Sequence, residues 1–275
     1  MVSKVLKWVL ISLGILLGLA LIGGVLLWLT FTGTLIRWGD KPVLMRELKS
    51  AYNENFVIYD YFGHSEGLGA THGFTYKLQS KSNPDIRFIV DFEDRSFDLN
   101  EAGYYPLAYA NNKISEALSP YLSNVGFVQN IAVSDNAGSF DLSDTSYKDT
   151  PVDFVNNLAT IESDFPCDYS SLLYYDSGFN RGAAVQELLN GISDIGLTNF
   201  SIDIAFVSAD DLSVFEKEYK EKGFTGVYHP VTYSYMDNGD VYRVYMENGE
   251  ILIKELDSGN YPLKAEHFVT LYLNS

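Results

Sequence analysis

The residues most capable of chemistry lie within ten positions of one another, in the stretch HSEGLGATHG at 64–73. His64, Glu66 and His72 are residue types that bind zinc, and a catalytic zinc ion needs only three protein ligands. The three glycines of the stretch loosen a backbone that a metal site must hold fixed, and neither a His-Glu-x-x-His helix nor a cysteine pair accompanies them. We therefore interpret the stretch as the loop of a β-hairpin, with these three residues as the metal candidates.

Nucleotide binding is not predicted from the same glycines. Gly67, Gly69 and Gly73 are spaced one residue wider than the dinucleotide fingerprint, which must follow a strand and open a helix. Residues 74–78 have the composition of a strand, and no Gly-x-x-x-x-Gly-Lys pattern follows them. The sequence therefore predicts neither a nucleotide nor another cofactor.

No catalytic residue can be assigned from the other motifs. The sequence has no Gly-x-Ser-x-Gly elbow, and its single cysteine, Cys167, has no histidine beside it. With 36 acidic residues in the chain, no pair of carboxylates stands out as an acid–base pair. Four aspartates of one polar region do not have the spacing of a calcium-binding loop: Asp141, Asp144, Asp149 and Asp153. Whether the protein is an enzyme is left open.

The charge and the tyrosine content favour a protein partner. Residues 51–275 carry 34 acidic and 13 basic side chains, a net charge of −21, which repels nucleic acid and favours basic proteins. The 20 tyrosines offer rigid amphipathic contact area, although tyrosine also packs well inside sheets. The candidate partner-binding tyrosines lie in the two densest runs: Tyr104, Tyr105, Tyr233, Tyr235, Tyr242 and Tyr245.

The amino-terminal region predicts a membrane anchor. No charged residue occurs between Trp8 and Ile36, and the part up to Trp28 would form a helix about 30 Å long, the thickness of a bilayer core. This apolar run is too long for the core of a cleaved signal peptide. We therefore expect a short cytoplasmic tail at 1–7 and an uncleaved, single-pass transmembrane anchor at 8–36.

The charges that flank the span do not decide its orientation by themselves. Lys4 and Lys7 precede it, and four basic residues follow it closely: Arg37, Lys41, Arg46 and Lys49. This balance leans toward a cytoplasmic body under the positive-inside rule. The very short amino-terminal arm and its basic-then-apolar start are typical of a signal anchor. We therefore predict a cell-membrane protein whose carboxy-terminal body is extracytoplasmic.

Hydrophobic periodicity predicts an α+β body in which helices pack on mainly antiparallel meander sheets, without regular βαβ units. The predicted elements of the first half are a helix starting at Asp40 or Pro42, strands over 56–62, 74–78 and 86–92, a helix over 107–123 cut by Pro120, and a strand over 125–134. Those of the second half are a helix over 181–195, a strand over 200–206 with Ala205 on its solvent face, a helix started by Asp210 or Asp211, strands over 231–236, 241–246 and 251–256 joined by Asn-Gly turns, and a closing strand, HFVTLYL. The predicted domains are an α+β subdomain at 37–150, a linker at 151–166 and an α+β subdomain with the C-terminal meander at 167–275.

One group of proteins resembles this arrangement. The anchor at 8–36, the juxtamembrane helix at 42–54 and the hairpin YKLQSKSNPDIRFIVDFED are similar to features of small membrane-anchored extracytoplasmic proteins of Gram-positive bacteria that lack an assigned function. Some such acidic anchored proteins act as immunity factors against secreted toxins. The resemblance covers the first third of the chain and implies no particular site residues.

The expected function is therefore a non-catalytic, membrane-anchored binding protein that neutralises a basic protein partner. One alternative is a cell-envelope hydrolase that uses carboxylates or a histidine-bound metal. A second alternative is a structural or assembly protein of the envelope, in which Gly14 and Gly18 form a packing face of the anchor helix.

Overall fold

The described part of the chain forms helices and two β-sheets, which confirms the predicted α+β class. A computed structural model describes residues 2–31, 34–66, 70–93, 104–131, 145–157, 169–222, 240–256 and 261–273. The helices are α1 (Val2–Phe31), α2 (Thr34–Tyr52), α3 (Tyr104–Leu118) followed by a 3-10 turn (Ser119–Tyr121), α4 (Ser146–Asp149), α5 (Pro151–Asn156), α6 (Arg181–Ile195), α7 (Ala209–Lys222) and α8 (Ala265–Tyr272). The strands are β1 (Phe56–Glu66), β2 (Ala70–Ser80), β3 (Arg87–Glu93), β4 (Phe127–Ile131), β5 (Tyr169–Asp176), β6 (Phe200–Val207), β7 (Asp240–Glu247), β8 (Glu250–Glu255) and β9 (Leu263–Lys264).

Helix α1 is apolar over most of its length, and the rest of the described chain does not cover it. Its segment Lys7–Leu29 has 23 residues, is long and apolar enough to cross a membrane, and is 0% buried. Trp8 and Trp28, near the two ends of this segment, are both well exposed. The predicted anchor at 8–36 is divided between two helices, because residues 34–36 already belong to α2.

Helix α2 begins at Thr34, so the prediction that it starts at Asp40 or Pro42 is wrong. Pro42 lies inside the helix, where it lacks the N–H that would bond the carbonyl one turn earlier, a defect that costs about 3 kcal/mol. Tertiary packing outweighs this cost, because Leu44 and Leu48 are completely buried in the core. The side chain of Asp40, two residues before Pro42, is buried as well.

The smaller sheet is an antiparallel meander in the order β1-β2-β3. Its first two strands extend well into the predicted loop at 64–73, since His64 pairs with Gly73 and Glu66 pairs with Ala70. The expected hairpin is therefore present with longer strands and a shorter connection, and that connection lies outside the described residues. One face of the sheet is aromatic and aliphatic and belongs to the main core: Phe74, Tyr76, Leu78, Phe88, Val90 and Phe92.

The larger sheet has the order β4-β5-β6-β7-β8-β9. Neighbouring strands are antiparallel except β5 and β6, which are parallel and are connected by α6. Thus the prediction of mainly antiparallel sheets is confirmed, and the sheet also contains one βαβ unit, β5-α6-β6. Helix α6 has the predicted bounds, with Asn180 as its N-cap and Gly196 in the left-handed conformation at its end. It packs on the sheet through an apolar stripe that includes Val185, Leu188 and Ile192.

Helix α7 covers the face of β6 that the alternating sequence assigns to solvent, so that assignment is wrong. A second apolar cluster lies there: Leu172, Tyr174, Ala205, Val207, Phe215 and Val241. The start of α7 also differs from prediction, because Ser208 bonds to its first turn in place of a cap by Asp210 or Asp211. The Ser208 Oγ accepts a hydrogen bond from the Asp211 N–H at 3.2 Å and donates one to the Asp211 carboxylate at 2.6 Å.

The carboxy-terminal residues form helix α8, so the predicted closing strand is wrong. Phe268 and Tyr272 lie one helical turn apart with ring centroids 4.4 Å from each other, and Phe268 is 5.1 Å from Tyr242 on β7. The hairpin that precedes it is as predicted: Asn248 and Gly249 have positive φ angles of 50° and 79° between β7 and β8. The other predicted Asn-Gly turn and the strand at 231–236 lie outside the described residues.

The predicted linker at 151–166 begins with a helix that is part of the core. Helix α5 occupies its first six positions, and Phe154 and Val155 are buried. Tyr147 of the preceding α4 is buried beside them, with its ring 5.9 Å from that of Phe154. One apolar core contains residues of both predicted subdomains, and α3 contacts elements of each.

The close approach of α6 to α8 predicts a position where a single methyl group is costly. A Cβ atom at Gly182 would lie 2.4 Å from the backbone N of Leu273, which cannot move as a side-chain tip can. We expect Gly182→Ala to lower the free energy of unfolding by about 1–3 kcal/mol, measured by thermal unfolding in detergent. Gly39→Ala is the matched control, since it meets nothing within 4 Å and should be neutral or stabilising. Equal stability of the two variants would contradict this close packing.

Candidate functional site

Helix α2, which follows the apolar helix α1, has two faces with different surroundings. Its inner face packs on the smaller sheet: the Arg37 guanidinium carbon lies 4.1 Å from the centroid of the Tyr61 ring, and Asp40 is buried nearby. Burial raises the pKa of the Tyr76 phenol, and the charge of Asp40 raises it further, while Arg37 opposes this. Through these polar and aromatic contacts, the inner face of α2 is attached to the smaller sheet.

The outer face of α2 consists of Trp38, Lys41, Arg46 and Lys49, and all four residues are exposed. Trp38 has 64% of its surface exposed, although it is a large apolar side chain. Arg46 forms an ion pair with Glu47 at 3.0 Å, but its own side chain is 73% exposed. A basic, tryptophan-containing helix face next to an apolar span is able to bind anionic groups at a membrane surface.

A group of polar side chains, the Glu54 centre, surrounds Glu54 just after the end of α2. Its carboxylate accepts hydrogen bonds from the hydroxyl groups of Ser80, Ser82 and Tyr105. Ser80 ends β2, Ser82 lies in the connection that follows it, and Tyr105 belongs to α3. One carboxylate therefore joins the segment after α2 to the end of β2 and to α3. The Lys148 ammonium group of α4 adds positive charge and donates to the Tyr52 carbonyl at 3.3 Å.

The environment of Glu54 keeps its carboxylate ionised. Burial raises the pKa of Glu54, but the hydroxyl donors Ser80, Ser82 and Tyr105, together with the charge of Lys148, bring it below its ordinary value. A carboxylate of this kind is a hydrogen-bond acceptor and is unsuited to act as a general acid near neutral pH. We interpret the Glu54 centre as a structural crosslink.

The rings around Glu54 show why several tyrosines of this chain are internal. The Tyr105 ring is completely buried, with its centroid 4.9 Å from that of Tyr52 and 4.9 Å from that of Phe56. Burial raises the pKa of Tyr105, and its hydrogen bond to Glu54 has the same effect. The tyrosine therefore stays a neutral donor.

Another contact that the sequence did not indicate lies at the carboxyl ends of β5 and β6. The Arg181 guanidinium pairs with Asp240, and its central carbon lies 5.6 Å from the Phe206 ring centroid and 6.0 Å from that of Tyr242. These residues are distant in sequence and meet because β6 and β7 are adjacent. Arg181 already has a carboxylate partner and two aromatic neighbours. We therefore interpret this contact as one that stabilises the fold.

The structure separates the candidate tyrosines into two groups. Tyr105 and Tyr242 are buried, so their rings are not available for the surface role expected of them. Tyr245 on β7 is half-buried and reaches the surface. The side chain of Tyr104, and all of Tyr233 and Tyr235, lie outside the described part of the chain.

The metal candidates are placed by their backbones alone. His64 and Glu66 lie on β1 and His72 lies on β2, near the end of the hairpin, and their side chains are not among those described. Within the described ranges, no group of three or more histidine, cysteine and acidic side chains could hold a metal ion. The metal site thus stays a prediction, as does any role for Cys167, which is outside these ranges.

Comparisons with known proteins show a similarity in fold. No protein-family model and no curated protein matches this chain. Among solved structures, the chain is similar to the crystal structure of a DUF5037 family protein from Ruminococcus gnavus ATCC 29149 at 2.55 Å resolution. The TM-score is 0.52 with 11% sequence identity, over 85% of this chain and 98% of the other. At this identity the likeness concerns the fold alone.

The Glu54 centre predicts a pH-dependent contribution to stability. Because its pKa in the folded state lies below the ordinary 4.5, ionised Glu54 stabilises the fold fully above that value, and this contribution is lost as pH falls through the folded-state pKa. We expect Glu54→Gln to lower the free energy of unfolding by about 1–3 kcal/mol at neutral pH. The difference from the unsubstituted protein should shrink below about pH 4, as measured by thermal unfolding across that range.

The control for this experiment is Glu116→Gln, which removes an exposed carboxylate paired with Lys113 at 2.6 Å. Exposed ion pairs contribute little, so this variant should stay close to the unsubstituted protein at every pH. A Glu54→Gln deficit that does not change with pH would contradict the ionised crosslink.

Proposed function

We propose that this protein is a single-pass, membrane-anchored binding protein whose acidic body faces the outside of the cell and holds a basic protein partner without transforming it. The observation that carries the proposal is the continuity from an uncovered apolar helix into a helix that is part of the body's core. The segment Lys7–Leu29 is 0% buried, whereas Leu44 and Leu48 of α2 are completely buried. An anchor of this form keeps the body next to the membrane.

The charge of the body supports a basic partner. Residues 51–275 have a net charge of −21, which attracts cationic proteins over distances of about one Debye length and increases their association rate. Such complementarity affects the on-rate and the specificity more than the final affinity. Neutralisation of a basic toxin by this anchored body would need no catalytic residue, in keeping with the resemblance to immunity proteins.

Tyr245 is the described candidate tyrosine best placed to contact a partner. It is half-buried on β7, so that its ring is supported by the sheet while part of it meets solvent. Its strand neighbour Arg243 is exposed and forms two hydrogen bonds to Asp203, at 2.8 and 3.0 Å, which fix the surface beside the ring. Rigid, partly exposed tyrosines of this kind are frequent at binding interfaces.

The proposed orientation is tested by protease treatment of intact cells that carry the full chain with a carboxy-terminal tag. We expect the tag and the body to be degraded from outside, while the residues before Trp8 stay protected. The control is the same treatment of opened cells, in which both sides are accessible. Full protection of the body in intact cells would show that it faces the cytoplasm, and the extracytoplasmic proposal would then be wrong.

The proposed partner binding is tested with the full chain in lipid nanodiscs, used to capture cell-envelope and secreted proteins at low and at moderate salt. We expect specific capture of a basic protein, weakened by salt because screening reduces exposed charge interactions. Tyr245→Ala should reduce capture by at least about tenfold, as expected for the loss of an aromatic contact at an interface. Tyr245→Phe, which keeps the ring, should retain most of the capture. Capture of no protein at either salt concentration would contradict the proposal.

A further inference from the structure

The outer face of α2 carries an inference about the membrane itself. We infer that Trp38, Lys41, Arg46 and Lys49 form a binding surface for the anionic headgroups of the membrane that α1 enters. The inference rests on the proposed anchoring by α1, and it goes beyond that proposal by assigning a separate lipid-binding surface to the body. It also predicts that the body is held in one orientation against the membrane surface.

The geometry of the helix puts the four residues on one side. At 3.6 residues per turn, their side chains project within roughly 140° of the helix circumference. Leu44 and Leu48, which are buried in the core, project roughly 60° and 20° beyond the Lys41 edge of this sector. The body therefore packs along the Lys41 edge of the sector, whereas all four residues of the outer face stay exposed.

The charges of α2 are divided in the same way. Its two acidic residues are Asp40, which is buried on the inner face, and Glu47, which pairs with Arg46 at 3.0 Å. That pair is exposed on both sides, so it contributes little and can exchange Glu47 for a lipid phosphate. Lys41 and Lys49 are exposed and supply further positive charge to the outer face.

The position of the surface favours headgroups over other anionic partners. Helix α2 starts three residues after α1 ends, and α1 contacts it, so the outer face lies close to where the apolar span would leave the bilayer. Tryptophan prefers the interface between lipid and water, which accounts for an exposed Trp38 at this level. Over residues 37–52, the part of α2 whose side chains the structure describes, no other large apolar side chain is exposed.

The acidic body opposes close docking, and the basic face of α2 counters this effect. A net charge of −21 on residues 51–275 is repelled by an anionic membrane surface within about one Debye length. Basic residues between the span and the body offset that repulsion locally.

The experiment uses the full chain with Trp8→Phe and Trp28→Phe, which leaves Trp38 as its single tryptophan. The protein is reconstituted into vesicles of phosphatidylcholine, with or without phosphatidylglycerol, and flotation first confirms insertion through α1. We expect Trp38 fluorescence to shift to shorter wavelength, and to be quenched by lipids labelled near the headgroup, when phosphatidylglycerol is present. Molar salt should reverse the shift without releasing the protein.

The charge variant is Lys41→Gln, Arg46→Gln and Lys49→Gln together. It should displace the equilibrium away from the docked state by roughly a hundredfold, so the shift of Trp38 fluorescence should be lost while flotation is retained. The matched control, Lys113→Gln, Lys254→Gln and Lys264→Gln, makes the same change of net charge on exposed or half-exposed positions of the body and should leave the shift in place.

The outcomes separate this inference from the anchoring on which it rests. Failure to float would contradict the anchor itself. Flotation with Trp38 fluorescence that is the same with and without phosphatidylglycerol would overturn the inference and leave the anchor standing. A shift that depends on protein concentration but not on phosphatidylglycerol would assign the surface to a second copy of the chain and would also overturn the inference.

Discussion

The burial of one face of α2 is the contact on which the arrangement of this protein depends. Leu44 and Leu48 insert into the core, and burying a leucine contributes roughly 1.5–3 kcal/mol. Through them the helix that follows the apolar span becomes part of the folded body. The same burial explains how Pro42 is tolerated inside the helix, because core packing offsets the missing hydrogen bond. The remaining surface of α2 carries exposed charge at Lys41, Arg46 and Lys49.

Polar contacts determine where the pieces of the core meet. Glu54 accepts hydrogen bonds from Ser80, Ser82 and Tyr105, and these three donors belong to the end of β2, to the connection after it and to α3. An unsatisfied hydroxyl or carboxylate at such a place would be costly, so the alternatives to this one arrangement are destabilised. The surrounding tyrosines thus have a structural use, and a high tyrosine count by itself does not identify a binding surface.

Local patterns predicted the elements whose signals are contained in a few neighbouring residues. Helix α6 has its N-cap asparagine and its terminal Gly196, and the β7–β8 hairpin has an Asn-Gly pair that accepts positive φ angles. The failures involve contacts between distant segments. The sequence HFVTLYL has an apolar pattern compatible with a strand, but Phe268 and Tyr272 pack as neighbours one helical turn apart. Likewise, Ala205 is buried because α7 lies over it, which strand alternation cannot indicate.

The sequence by itself determined the α+β class, an apolar amino-terminal helix, and the contrast between an acidic body and the basic residues that follow the apolar run. These properties depend on composition and on periodicity over short distances. Only the tertiary structure decided that Tyr105 is internal, that Asp40 faces the core and that Trp38 and Lys49 face outward. The physical reason is that exposure is a property of packed neighbours, and those neighbours come from parts of the chain far apart in sequence.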